Sequence, residues 1–132
     1  MIDSIIAVPV YGTDEFHAFD VSDIARLTNF WLGSSAGWRI IDTYGHKFNT
    51  TPEGYVAIED MLYTIRESDP DCQDLSLVET AILDRKGRVA FRDFVCIRAV
   101  RNIRPHEDGK RRITVRGVGD LITSDFAASQ LK

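Results

Sequence analysis

The period of hydrophobic positions changes several times along the chain, and each change marks an element. Residues 2–10 (IDSIIAVPV) are β-branched and apolar enough for a strand, which Pro9 confines to an edge or an end. Tyr11-Gly12-Thr13-Asp14 reads as a turn, after which Phe16 to Phe19 is placed to pair back. From Ser22 the spacing becomes helical. Ile24, Leu27, Thr28 and Trp31 fall at i, i+3, i+4 and i+7, which predicts an amphipathic helix over 22–32. Asp20 or Ser22 would cap it, and Gly33 would stop it.

Trp38 to Tyr44 (WRIIDTY) predicts a strand with Gly45 in the following turn. Thr51-Pro52-Glu53 signals a helix start, with Tyr55, Ile58, Leu62 and Ile65 as the apolar stripe. Ser68-Asp69-Pro70 ends it, because a residue before proline avoids helical angles. The final third reads as strands: Leu75 to Asp84, then a turn over Asp84-Arg85-Lys86-Gly87, then Arg88 to Arg104, then Arg112 to Val118. Within the long strand Val89, Phe91, Val95, Ile97, Ala99 and Ile103 share one parity, with Asp93 and Arg101 as exceptions. Arg88, Arg92, Arg98 and Arg104 share the other, and Arg112 and Arg116 continue it on the next strand. Phe94, Cys96 and Val100 interrupt the arginine face, so the pattern expects something to cover that face at its centre.

Composition bounds the class. A chain of 132 residues, 44% hydrophobic and 27% charged, has globular values and the size of one domain. No apolar run approaches the roughly 20 residues of a membrane span. No basic N-region precedes an apolar stretch, and Cys72 and Cys96 make no disulfide framework, so the expectation is a cytoplasmic protein without a membrane partner. The net charge of −4 hides a division. Residues 1–84 carry 4 basic against 15 acidic side chains, whereas residues 85–116 carry 11 basic against 3 acidic. Such asymmetry points either to an anionic partner or to two oppositely charged parts of one fold.

The run Val78-Glu79-Thr80-Ala81-Ile82-Leu83-Asp84-Arg85-Lys86-Gly87-Arg88-Val89 is similar to the central hairpin of PAS sensor domains. Arg98 to Arg104, the turn Glu107-Asp108-Gly109-Lys110 and the strand Ile113 to Val118 continue that pattern. Gly119-Asp120-Leu121-Ile122-Thr123 resembles the closing Asp-Ile-Thr signature, with one extra residue, and Gly37 to Asp42 resembles the first PAS hairpin. The resemblance implies an α+β fold: a PAS-like antiparallel sheet of about five strands, few helices on one face, and the N-terminal helix 22–32. It divides the chain into an extension (1–36), a PAS-like core (37–123) and the start of a C-terminal linker or signalling helix (124–132). Its implied function is a non-catalytic sensory or protein-interaction module, signalling to a partner or effector through homodimerisation and its C-terminal segment. The homodimer or partner interface would join Ile24, Leu27, Phe30 and Trp31 to Phe94, Cys96 and Val100. Only residues 51–74 stand where such domains wall a cavity, and the 53–67 helix has no histidine for haem. No cofactor is therefore expected, while a small ligand remains possible.

A second function follows from the charges themselves. A small α+β domain could bind an anionic partner, nucleic acid or acidic protein, through Arg92, Arg98, Arg104, Arg112 and Arg116. The sequence disfavours nucleic acid, since only Phe94 is interleaved as an aromatic and no recognition motif occurs. Glu67, Asp69, Asp71 and Asp74 lack the glycine and closing glutamate of a calcium loop, so no metal is expected. His17, His46 and His106 are scattered, and no paired acid, base and nucleophile appears, so no enzyme is expected.

Overall fold

The computed structural model describes residues 3–83, 86 and 92–132. Among them β1 (Ile5–Pro9) and β2 (Phe16–Asp20) form a hairpin of their own. A central antiparallel sheet comprises β3 (Ile24–Leu32), β4 (Ser35–Asp42), β5 (Lys47–Thr50), β6 (Leu77–Thr80) and β7 (Asp93–Cys96), in the order β5–β4–β3–β7–β6. A third sheet, in the order β10–β9–β8, comprises β8 (Val100–Pro105), β9 (Lys110–Val115) and β10 (Gly119–Ser124). The described residues also form the long helix α1 (Pro52–Ser68) and the short α2 (Asp125–Ser129).

Helix α1 forms for the reasons written into its ends. The Thr51 hydroxyl accepts from the Gly54 N–H at 3.2 Å, Pro52 takes the first helical position, and Asp69 before Pro70 is extended. Ile58, Leu62 and Ile65 are buried against the inner face of the central sheet. There Leu27, Ile40 and Phe94 lie side by side on β3, β4 and β7, and Trp38 stacks on Tyr55 with ring centroids 4.1 Å apart. Burial of such side chains stabilises by about 1.5–3 kcal/mol each. Gly54 is needed here, because a Cβ would run into the Thr50 hydroxyl, which itself donates to the Pro9 carbonyl at 2.6 Å.

Residues 24–32, expected as an amphipathic helix, are instead the central strand β3. Ala25 and Leu27 are buried, whereas Arg26, Thr28 and Phe30 take the alternate positions. A β-bulge between Ile24 and Arg26 lets Ile24 and Ala25 both be buried. The i, i+3, i+4 matches arose because most positions of this segment are apolar, and pairing on both sides by β4 and β7 decided for strand. Asp20 does cap, but it caps the single 3-10 turn Val21–Asp23 by accepting from the Ser22 N–H at 2.9 Å.

The expected strand 88–104 is also divided. β7 ends at Cys96, a 3-10 turn occupies Ile97–Ala99, and β8 then enters a different sheet. Parity is lost across the turn, so Phe94 and Cys96 belong to the α1-covered face. Asp84, Arg85 and Gly87 of the expected hairpin turn, with Arg88 to Phe91, lie outside the described residues. The third sheet docks through backbone bonds, from Arg116 N–H to the Ala99 carbonyl (2.9 Å) and from Leu83 N–H to the Ile122 carbonyl (3.1 Å). Ile113, Val115 and Leu131 join the same continuous core as Leu27 and Ile58. Among the described residues the architecture is thus mostly β in three sheets, with β3 where an N-terminal helix was expected, and not the α+β arrangement of one five-stranded PAS-like sheet. Among the described residues no helix is long and apolar enough to cross a membrane.

Candidate nucleic-acid interface

The arginines singled out in the sequence do not share one face. Arg92, just before β7, meets Glu79 through two bonds of 3.1 Å and lies 5.4 Å from the Phe94 ring centroid. Arg98, in the 3-10 turn, meets Asp74 at 2.9 and 2.6 Å and holds that carboxyl below its usual range. Arg104 and Arg112 are cross-strand partners on β8 and β9, and Arg116 sits exposed in the turn that follows β9. The residues proposed for an interface scatter as well. Ile24, Leu27, Phe94 and Cys96 are in this chain's own core, Phe30 and Val100 are half-buried, and Trp31 is 59% exposed. Burial pushes the Cys96 thiol up to about 11.

What the fold does bring together is the basic segment 98–116. Arg98, Arg101, Arg104, Lys110, Arg111, Arg112 and Arg116 face only Glu107 and Asp108 within it, and most of the segment forms the three-stranded sheet. Alternation assigns the sheet's two sides. Ile103, Ile113 and Leu121 are paired across it and pack toward the core, where Ile113 is fully buried. Asn102, Thr114 and Asp120 form one rung of the opposite side, and Arg104, Arg112 and Ile122 form the next. Like charges directly opposite in a sheet destabilise it, and Asp120 relieves the Arg104–Arg112 pair. Its carboxylate accepts from the Thr114 hydroxyl at 2.7 Å and lies 3.0 Å from Arg104 and 3.6 Å from Arg112. The Thr114 hydroxyl above all, with the two guanidiniums adding to it, holds that carboxyl below its usual range against the opposing effect of desolvation. Lys110 pairs with Glu107 and Arg111 with Asp125, so four of these basic side chains on the sheet have carboxylate partners.

Arg101 and Arg116 differ. Among the described residues neither has an ion pair, and both are exposed. The bulge between Val100 and Asn102 takes Arg101 out of the ladder. Because Val100 pairs with Val115, Arg101 and Arg116 stand at the same end of the sheet. The turn that carries Arg116 is held by a glycine. Gly117 has φ +77°, and a Cβ there would overlap the Asp42 carbonyl oxygen, so the β9–β10 turn sits directly on the β4–β5 turn. Asp42 organises that second turn by accepting from the N–H groups of Tyr44 and His46, both at 2.9 Å, and leaves Tyr44 largely exposed.

Sequence reasoning passed over Arg101, Thr114 and Asp120. Arg101 has the wrong parity for an unbroken strand, and Asp120 stands in the stretch that resembles a terminal signature. A signal was present: Gly117-Val118-Gly119 between two alternating runs marks a hairpin that puts Thr114 and Asp120 on one rung. Elsewhere, the Asp69 carboxylate accepts from the Asp71 N–H and Asp74 is held by Arg98, so the acidic loop is occupied internally. A cleft of about 560 Å³ lies between the β1–β2 side and the end of α1, lined by Ser4, Ser22, Ile65, Asp69, Cys72 and Arg98 among others. Among the described residues no three His, Cys, Asp or Glu side chains gather as metal ligands.

No protein-family model and no curated protein matches the sequence. A solved structure, the LytTr DNA-binding domain of a protein from Bacillus cereus, matches with a TM-score of 0.50. The match covers 96% of this chain and 92% of that one at 12% identity. At that identity the likeness is one of fold, and it overturns the PAS resemblance together with the sensory function and the dimer signalling inferred from it. Residues 124–132, expected as the start of a C-terminal linker or signalling helix, hold the last residue of β10 and the short α2, whose Ala127 and Ala128 are buried. The expectation that nucleic acid is disfavoured as a partner loses its ground as well. This chain shares the fold of that LytTr domain, not the fold of a PAS sensor.

Proposed function

We propose that this protein is a DNA-binding domain that receives the phosphate backbone of a duplex on the β8–β10 sheet. The observation that carries this reading is the pair Arg101 and Arg116, exposed at one end of a basic sheet with no carboxylate partner among the described residues. Cations in that state displace the counterions condensed on DNA, which drives sequence-independent affinity. The acidic remainder of the chain repels DNA and so orients the approach toward the basic sheet. The likeness in fold to a DNA-binding domain supports the same reading. We take the protein as a binding module, with no catalytic step or cofactor in its action, working in the cytoplasm.

The test is fluorescence anisotropy on a labelled mixed-sequence duplex between about 50 and about 200 mM salt. Each phosphate contact contributes about 0.9 to the slope of log K against log salt. Substituting both Arg101 and Arg116 by alanine should lower the slope by about 1.8 and weaken binding roughly sixtyfold near 0.1 M salt. Absence of binding at low salt, or a slope indifferent to both substitutions, overturns the reading.

A further inference from the structure

We infer that Arg104, Arg112 and Thr114 form a phosphate-binding subsite that the Asp120 carboxylate fills in the free protein. The inference rests on the DNA-binding reading and assigns a regulating residue within that surface. Two guanidiniums and a hydroxyl converge on one carboxylate, at 3.0, 3.6 and 2.7 Å. The same donor set suits a phosphodiester, since guanidinium groups recognise carboxylate and phosphate by the same charge-assisted bonds. One carboxylate against two guanidiniums leaves the subsite with a positive balance, so an approaching phosphate is still attracted.

Exchange is open to solvent. The side chains of Arg104, Arg112 and Asp120 are 48%, 41% and 40% exposed, and exposed ion pairs are weak. Asp120 can therefore leave without disturbing the core, while Ile113 beneath it stays buried. Spacing supports a shared footprint with Arg116. Arg116, in the turn that follows β9, lies four residues on from Arg112, about 13 Å at the rise of a strand, close to the roughly 12 Å width of a major groove. The two sites thus suit phosphates that flank one groove. In this arrangement Asp120 competes with the ligand and damps affinity.

The test is the same duplex titration on the full chain carrying Asp120→Asn, which keeps the shape and a partner for Thr114 but removes the charge. A melting curve confirms that the variant is folded. The expected result is binding about three- to tenfold tighter, with the salt slope steeper by about 0.9. In an Arg104→Gln, Arg112→Gln background the same substitution should give no gain. An affinity unchanged or weakened by Asp120→Asn overturns the inference and makes Asp120 a clamp that holds the two arginines. An equal gain in the double-glutamine background overturns it too, as a general effect of net charge. In both cases wild-type binding that depends on Arg101 and Arg116 leaves the DNA reading standing. A wild-type chain that fails to bind at low salt removes both.

Discussion

Gly12, Gly109 and Gly117 have nearly the same positive φ, +77°, +75° and +77°, but only Gly117 is crowded. At Gly109 a Cβ would meet nothing within 4 Å. Gly109→Ala therefore incurs only the left-handed conformation, about 1–2 kcal/mol. At Gly117 the same Cβ would overlap the Asp42 carbonyl oxygen and come within 2.7 Å of Thr43 C and 2.8 Å of Gly45 N. All of these are backbone atoms, so no side chain can rotate away, and the β4–β5 and β9–β10 turns must separate. Overpacking of this kind adds about 1–3 kcal/mol. Gly117→Ala should thus exceed Gly109→Ala by about 1–3 kcal/mol in urea unfolding, or by roughly 3–10 °C in Tm for a domain of this size. It should also weaken DNA binding, because Arg116 is the neighbouring residue, whereas Gly109→Ala should not. Equal losses for the two variants, within about 0.5 kcal/mol, would refute the back-to-back packing of the two turns.

Arg26→Met should destabilise by about 3 kcal/mol in denaturant unfolding, because it leaves the Asp93 carboxylate, only 4% exposed, without its cation; a loss below about 1 kcal/mol contradicts that. Burial protects Cys96, so Ellman's reagent at pH 8 should titrate Cys72 alone in the native protein and both thiols after unfolding. Arg98 depresses the Asp74 carboxyl below its ordinary 3.8, so this group's contribution is complete above about pH 5 and lost as pH falls through the lower folded value. Asp74→Asn should accordingly cost under about 1 kcal/mol at neutral pH, since the pair is well exposed, and the difference from wild type should shrink below pH 4.

Much of the local structure was legible where one signal acted alone. Thr51-Pro52 and the Ile58, Leu62, Ile65 stripe marked α1, and the residues after Gly12 do pair back on β1. Legibility failed where two periods fitted the same residues. Ile24, Leu27 and Thr28 satisfy a helical spacing, yet Leu27 meets Ile40 on one side and Phe94 on the other, which only a central strand allows. It failed again where a short turn reset parity: Ile97–Ala99 puts Arg104 on a different sheet from β7, the strand that Arg92 precedes. That one turn breaks the arginine face that an unbroken strand predicts. The charge division survived, since it depends on composition along the chain and not on register. Its meaning changed, because the basic segment owns a sheet and Asp120 partly neutralises it.

The most direct measurement is a two-dimensional amide NMR titration of the isotope-labelled chain with a short duplex. The account predicts shifts concentrated at Arg101, Asn102, Thr114, Arg116 and Asp120, with the outer surface of α1, at Val56 and Tyr63, unaffected. Shifts confined to α1 or to the β1–β2 hairpin, or no shifts at low salt, would contradict it.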